Sequence, residues 1–159
     1  MKNEQTHEEK VQRLKNVRKM LPETIDKVEY YKESLIAEGD LLSLLNKRQS
    51  SWLVLPIKKA REKMEIVSIQ NSILTKQKIY ESYLSRKKSY DKFLDEMTIE
   101  VAEKFEDTLE QAKLIKTNVR LLDTLKKWDD DDKSDIHKKI DFYMYLKTEI
   151  SNNKKFSKR

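Results

Sequence analysis

The two histidines, His7 and His137, are the first candidates for metal binding or acid–base chemistry, because the sequence has no cysteine. Glu4 and His7 match half of the Glu-x-x-His motif of di-iron helical bundles, but that site requires a second copy, which the sequence lacks. His137 and Asp141 are spaced to share one helix face, but no third ligand follows at a set spacing. We therefore interpret His7 as a solvated side chain beside a helix cap and His137–Asp141 as a surface pair, and we expect no metal site.

The acidic run "DDDDKSD", residues 129–135, could begin a calcium-binding EF-hand loop. Such a loop requires an oxygen ligand at its fifth position, glycine at its sixth and glutamate at its twelfth. The sequence has Lys133, Ser134 and Ile140 there. A phosphate-binding loop needs several glycines, and Gly39 is the only one in the chain. No set of nucleophile, base and orienting group is present either, so we expect no catalytic residue, no cofactor and no enzymatic activity.

Residues 76–92 carry six Lys or Arg against two acidic residues, together with three tyrosines. Basic residues neutralise phosphates and aromatic rings stack on unpaired bases, so this segment predicts a nucleic-acid contact as the alternative function. Two observations count against it: Tyr80 fits an apolar seam, and residues 95–110 carry seven acidic residues against one lysine. The candidate contacts are Lys76, Arg86, Lys87, Lys88 and Lys92.

The composition favours long helices. Charged residues make up 39% of the chain and hydrophobic residues 37%, with one Gly and two Pro. The longest apolar run, Trp52–Ile57, is far shorter than the roughly 20 residues that cross a membrane. The N-terminal residues contain no apolar segment typical of a signal peptide. We therefore expect a cytoplasmic protein with no membrane partner.

Apolar spacing and cap residues predict where the first helices begin and end. Thr6 and Glu9 fit a capping box at the start of the first helix. Pro22 suits the first turn of a second helix over residues 22–48, and we interpret Gly39 within it as a point of close packing or a bend. A final helix over residues 135–151 is capped by Ser134 and followed by a flexible basic tail, 152–159.

Residues 47–59 form the clearest connection, since their apolar residues lack helical periodicity. We expect Trp52 and Leu55 to hold this loop against the helices. The alternative is that the tryptophan is exposed as an anchor for a partner.

Residues 57–127 contain no Gly or Pro and carry several apolar seams. Ala60, Met64, Val67 and Leu74 form one seam, and Ile66, Ile69, Ile73 and Tyr80 form another. A third seam is spaced like a coiled coil and runs through Leu94, Met97, Val101, Phe105, Ala112, Ile115, Val119 and Leu122. Two seams on one helix indicate packing on more than one neighbour.

This long stretch allows two arrangements. A break near residues 85–89, with Ser85 and Ser89 as caps, would give an antiparallel hairpin, which base rates for helix length favour. A straight helix would instead expose its seam to a second copy, with the basic and acidic blocks pairing about Phe93.

The sequence thus predicts a single all-α domain over residues 1–151, an elongated antiparallel bundle or coiled-coil-like hairpin of four to five helices. We expect an interaction, scaffold or assembly protein that binds a protein partner or itself. The candidate partner interface is Leu94, Met97, Val101 and Phe105.

Overall fold

The fold was determined as a computed structural model that describes residues 5–130 and 135–157. These residues form helices and connections with no strand, which confirms the predicted all-α helical bundle. The helices are α1 (His7–Gln49), α2 (Pro56–Lys113), α3 (Val119–Asp130) and α4 (Ile136–Ser157). The chain divides into two compact units, which we name the end unit (Met1–Asn16 with Asp91–Arg159) and the hairpin unit (Val17–Tyr90).

The end unit contains most of the buried apolar side chains. An aromatic cluster joins three helices: the rings of Trp128 and Phe142 stack with their centroids 4.4 Å apart, and Phe105 lies 5.6 Å from Trp128. The buried apolar residues of this unit are Leu14, Phe93, Met97, Val101, Phe105, Leu109, Ala112, Ile115, Leu121, Leu125, Trp128, Ile140, Phe142, Tyr143, Met144 and Leu146. This is a conventional core, built where four helical segments meet.

The hairpin unit consists of parts of α1 and α2 that run antiparallel. Arg48 pairs with Glu62 at 2.8 Å near the connection, and Glu38 pairs with Lys76 further along both helices. Among its described residues, only Val17, Thr24, Leu45 and Ile66 are buried. Two helices alone bury little of their surface, so much of the apolar surface of this unit stays in contact with solvent.

The break predicted near residues 85–89 is absent. Helix α2 runs without interruption through Ser85 and Ser89, since Arg86 to Lys88 are good helix formers and no Gly or Pro occurs there. The chain turns instead at residues 114–118. Asn118 caps α3, because its side-chain oxygen accepts from the Leu121 amide at 3.1 Å.

The coiled-coil-like seam ends at this turn. Ala112 and Ile115 are buried as expected, but Val119 and Leu122 are exposed. The side chains of α3 that are buried are Leu121, Leu125 and Trp128. The seam prediction was wrong past residue 118 because the turn at 114–118 starts a new helix with its own orientation.

Helix α1 begins as predicted but does not stop at Pro22. The Thr6 hydroxyl accepts from the Glu9 amide at 3.2 Å, and a Glu9 oxygen accepts from the Thr6 amide at 3.3 Å, which confirms the capping box. Pro22 lies inside the helix, between the buried residues Val17 and Thr24, whose packing offsets the hydrogen bond that proline cannot donate. Gly39 has open space where a Cβ would lie, so the predicted close packing is absent.

Helix α4 extends to Ser157, beyond the predicted end at residue 151. The Asp135 side chain accepts from the His137 amide at 2.9 Å at its start. The predicted cap, Ser134, and residues 131–133 of the acidic run lie outside the described residues.

Candidate partner-binding surface

The interface predicted from the sequence lies in the core of the end unit. Val101 is 0% exposed, Met97 and Phe105 are also buried, and Leu94 is half-buried. A partner could not contact the three buried side chains while this unit is folded. We therefore correct the sequence-based choice of Leu94, Met97, Val101 and Phe105: the chain's own helices cover this seam.

The midpoint of the two charge blocks is covered as well. Phe93 is buried, and the guanidinium of Arg13 lies 4.7 Å from the centre of its ring. One acidic residue of the second block, Glu100, pairs with Lys10 of α1 at 2.9 Å. A two-fold contact about Phe93 is therefore not available to a second copy.

A different seam of α2 is left open. One seam of α2 in the hairpin unit is packed: Ile66 is buried, and the other members of this seam, Ile69, Ile73 and Tyr80, are half-buried. The seam that we name the outer seam, Ala60, Met64, Val67 and Leu74, is exposed along its length, with Met64 76% exposed. The sequence indicated correctly that α2 carries two seams, but only one of them is packed within this unit.

The connection between α1 and α2 exposes a second apolar surface. Trp52 is 88% exposed, and Leu53, Leu55 and Ile57 are exposed beside it. We name these four residues the tip. The prediction that Trp52 and Leu55 hold the loop against the helices was wrong, because within the hairpin unit this turn adjoins only the ends of α1 and α2, which leave both side chains exposed. The alternative, an exposed aromatic residue, matches the structure.

Polar contacts inside the turn hold the tip in place. The Gln49 side chain donates to the Lys59 carbonyl at 2.7 Å, which joins the end of α1 to the start of α2. The Ser50 hydroxyl donates to the Lys47 carbonyl at 2.9 Å, and the Ser51 hydroxyl accepts from the Leu53 amide at 3.3 Å. Because the serines satisfy backbone groups of the turn, the apolar side chains are free to face outward.

The surroundings of the tip are basic. From residue 41 to residue 61 the sequence has five Lys or Arg and no acidic residue. An open groove of about 600 Å³ lies at the tip and combines Lys47, Arg48 and Lys58 with Leu53, Val54 and Leu55. Leu53 and Ile57 were not predicted as surface residues. The signal that could have found them was an apolar run without helical period inside this acid-free stretch.

The predicted nucleic-acid contacts are only partly available. Lys76 donates to Glu38 and to the Ser34 hydroxyl; the hydrogen bond from Lys76 lowers the pKa of Glu38, and the same bond raises the pKa of Lys76. Arg86 lies 5.4 Å from the ring centre of Tyr83, which in turn stacks on Tyr31 at 6.0 Å.

Of the remaining candidates, Lys87 is half-buried, whereas Lys88 and Lys92 are exposed. Lys88 and Lys92 therefore face solvent, whereas Lys76 and Tyr83 are engaged within the hairpin unit.

His7 is not the solvated side chain that the sequence suggested. Its Nε2 lies 2.7 Å from the Thr148 hydroxyl, which donates to the Met144 carbonyl, so Nε2–H is the donor to Thr148. Burial lowers the pKa of His7, and the nearby charge of Lys147 lowers it further. Among the described residues no group of three or more His, Asp or Glu side chains is arranged to hold a metal ion.

A charged cluster surrounds His7. Burial raises the pKa of Glu100, but the hydrogen bond from Lys10 and the charges of Lys10 and Lys147 lower it by more, so its net pKa lies below the ordinary value. Burial, together with the charge of Glu100, raises the pKa of Tyr143 to about 12. These groups join α1, α2 and α4 within the end unit, which is a structural role.

Comparison with protein-family models, with curated proteins and with solved structures gives no match to this chain. Within the described ranges, no helix has the length and apolar character needed to span a bilayer.

Proposed function

We propose that the chain is a non-enzymatic helical assembly protein that associates with a second copy of itself through the outer seam. The observation that carries the proposal is the exposure of Ala60, Met64, Val67 and Leu74 at coiled-coil spacing. Helices with such seams usually bury them against another helix, because an exposed apolar stripe is unfavourable in water.

The order of side chains in the outer seam suits an antiparallel pairing. A two-fold axis beside Val67 would place Ala60 opposite Leu74, a small side chain opposite a large one, and Val67 opposite its own copy. Small and large residues that face each other interdigitate well.

The flanking charges are compatible with this pairing. Arg61 would face Ile73 and Lys63 would face Asn71, so no like charges meet across these positions. The seam spans only about two heptads, and short seams bind weakly. We therefore infer a reversible dimer. We also place the protein in the cytoplasm, because a chain without cysteine forms no disulfide and does not require an oxidising compartment.

The substitution Val67→Lys tests this dimer. The side chain at this position would meet its own copy, so two positive charges would replace an apolar contact. We expect the dissociation constant to rise at least about tenfold, while the helix content is unchanged because the site is exposed. Light scattering across a concentration series measures the association.

Ser89→Lys is the matched control, since it adds the same charge at an exposed position of α2 that lies outside the seam. It should leave most of the association intact. A wild-type chain that stays monomeric throughout the series, or equal association of the two variants, would refute the proposed dimer.

Nucleic-acid binding through residues 76–92 is the second candidate, favoured by the exposure of Arg86, Lys88 and Lys92. Its signature would be an affinity for single strands that falls steeply with salt, because bound phosphates release their counterions. Filter binding at two salt concentrations separates the two functions.

A further inference from the structure

We propose that the tip docks onto an anionic lipid surface. In this arrangement the side chains of Trp52, Leu53, Leu55 and Ile57 enter the interfacial layer of the bilayer. Lys47 and Lys58 then lie at the level of the lipid phosphates. The partner is a bilayer that contains acidic lipids, and docking requires no membrane-spanning helix.

The apolar part of the proposal rests on position and residue type. The four exposed side chains follow one another within a turn whose backbone is held by Gln49, Ser50 and Ser51. A turn at the end of a helix pair is convex, so it can enter a soft surface without a matching cavity. Tryptophan is the side chain that most favours the boundary between lipid and water.

The charges identify the lipid. The groove beside the tip is lined by Lys47, Arg48 and Lys58, and Arg48 is partly neutralised by its pair with Glu62. With no acidic residue between positions 41 and 61, nothing in this stretch would repel a negative surface. Each basic residue near such a surface contributes about a fivefold gain in binding.

A protein partner fits these observations less well. A protein hot spot normally inserts a side chain into a pocket and is bordered by polar groups of both signs. Here four apolar side chains are exposed together, and every charged residue from position 41 to position 61 is basic. The expectation that the chain has no membrane partner was based on the absence of a spanning segment, a condition that interfacial docking does not impose.

Vesicle binding of the full chain tests the proposal, with phosphatidylcholine vesicles compared with vesicles that also contain phosphatidylserine. We expect binding to the acidic vesicles, weakened by salt, and little binding to the neutral ones. Trp52 emission should shift to the blue as the indole leaves water; Trp128 is already buried and should change little. The double variant Trp52→Ser/Leu53→Ser should lose at least about tenfold in binding, since two apolar side chains are removed.

Two matched controls separate the tip from general effects. Lys47→Gln/Lys58→Gln should reduce binding by at least about tenfold, whereas Lys88→Gln/Lys92→Gln, with the same charge change, should have little effect. Leu114→Ser removes an exposed apolar side chain elsewhere and should also have little effect. The dimer proposed above is tested separately, because Val67→Lys should bind vesicles through an intact tip.

Three results would overturn the proposal: no binding of the wild-type chain to acidic vesicles, equal binding to neutral vesicles, or tip variants that bind as well as wild type. If vesicles do not bind and the tip variant loses self-association in light scattering, the tip is a protein contact.

Discussion

Replacing Val101 with aspartate is expected to unfold the end unit or to lower its free energy of unfolding by at least about 4 kcal/mol. The side chain is fully buried between Met97 and Phe105 on the covered face of α2, so the carboxylate would have no access to water. Urea unfolding followed by the emission of Trp128, which is buried in the same unit, measures the loss.

Ile99→Asp is the control, because Ile99 lies two positions away on the same helix and is exposed. It should change the stability by no more than about 0.5 kcal/mol. The pair of variants distinguishes a core from a docking surface. If Val101→Asp folds as stably as Ile99→Asp, then the seam through Val101 is open to a partner, as the sequence first suggested.

Ser85→Pro is expected to cost about 3 kcal/mol or more, because α2 continues through this position and proline would remove one hydrogen bond and clash with the preceding turn. Ser85→Ala should be neutral or slightly stabilising, since alanine is the better helix former. Thermal unfolding followed by circular dichroism compares the two.

If the chain turned at residues 85–89 instead, the two variants would have the opposite order of stability. Proline would be tolerated there, and alanine would remove a helix cap at a cost of about 1 kcal/mol. The two substitutions at one exposed position therefore test the continuity of α2 without a change in the core.

The features that depend on local chemistry were predictable from the sequence. The Thr6–Glu9 capping box, the all-helical class and the connection after Gln49 each follow from a few neighbouring residues. The two seams of α2 in the hairpin unit were also visible as a periodicity.

The features that depend on which helices meet were not predictable. Periodicity showed several seams but not which of them would be covered. The seam through Val101 is buried in the end unit, where Phe105 contacts Trp128 of α3 and Phe142 of α4, whereas the outer seam through Met64 is exposed. Likewise, the turn at residues 114–118 has only the capping side chain of Asn118 as a local signal, and Asn118 is further held by its bond to Glu149 of α4 at 2.8 Å.

The exposure of the tip is another feature that could not be predicted from the sequence. An apolar run beside two serines indicated a connection, but whether Trp52 packs inward depends on whether a neighbouring element covers it, and among the described residues of the hairpin unit none does. Base rates favour burial of such residues. An exposed tryptophan is therefore informative, because it departs from that expectation.

Methionine oxidation tests the central claim most directly: the outer seam is open to a second copy, and the seam at residues 94–105 is closed. Met64 is 76% exposed and Met97 is 2% exposed, both on α2. With hydrogen peroxide and peptide mass spectrometry, Met64 should be oxidised much faster than Met97 in dilute protein, and its oxidation should slow as concentration promotes the dimer. Oxidation of Met97 as fast as that of Met64 would contradict the account.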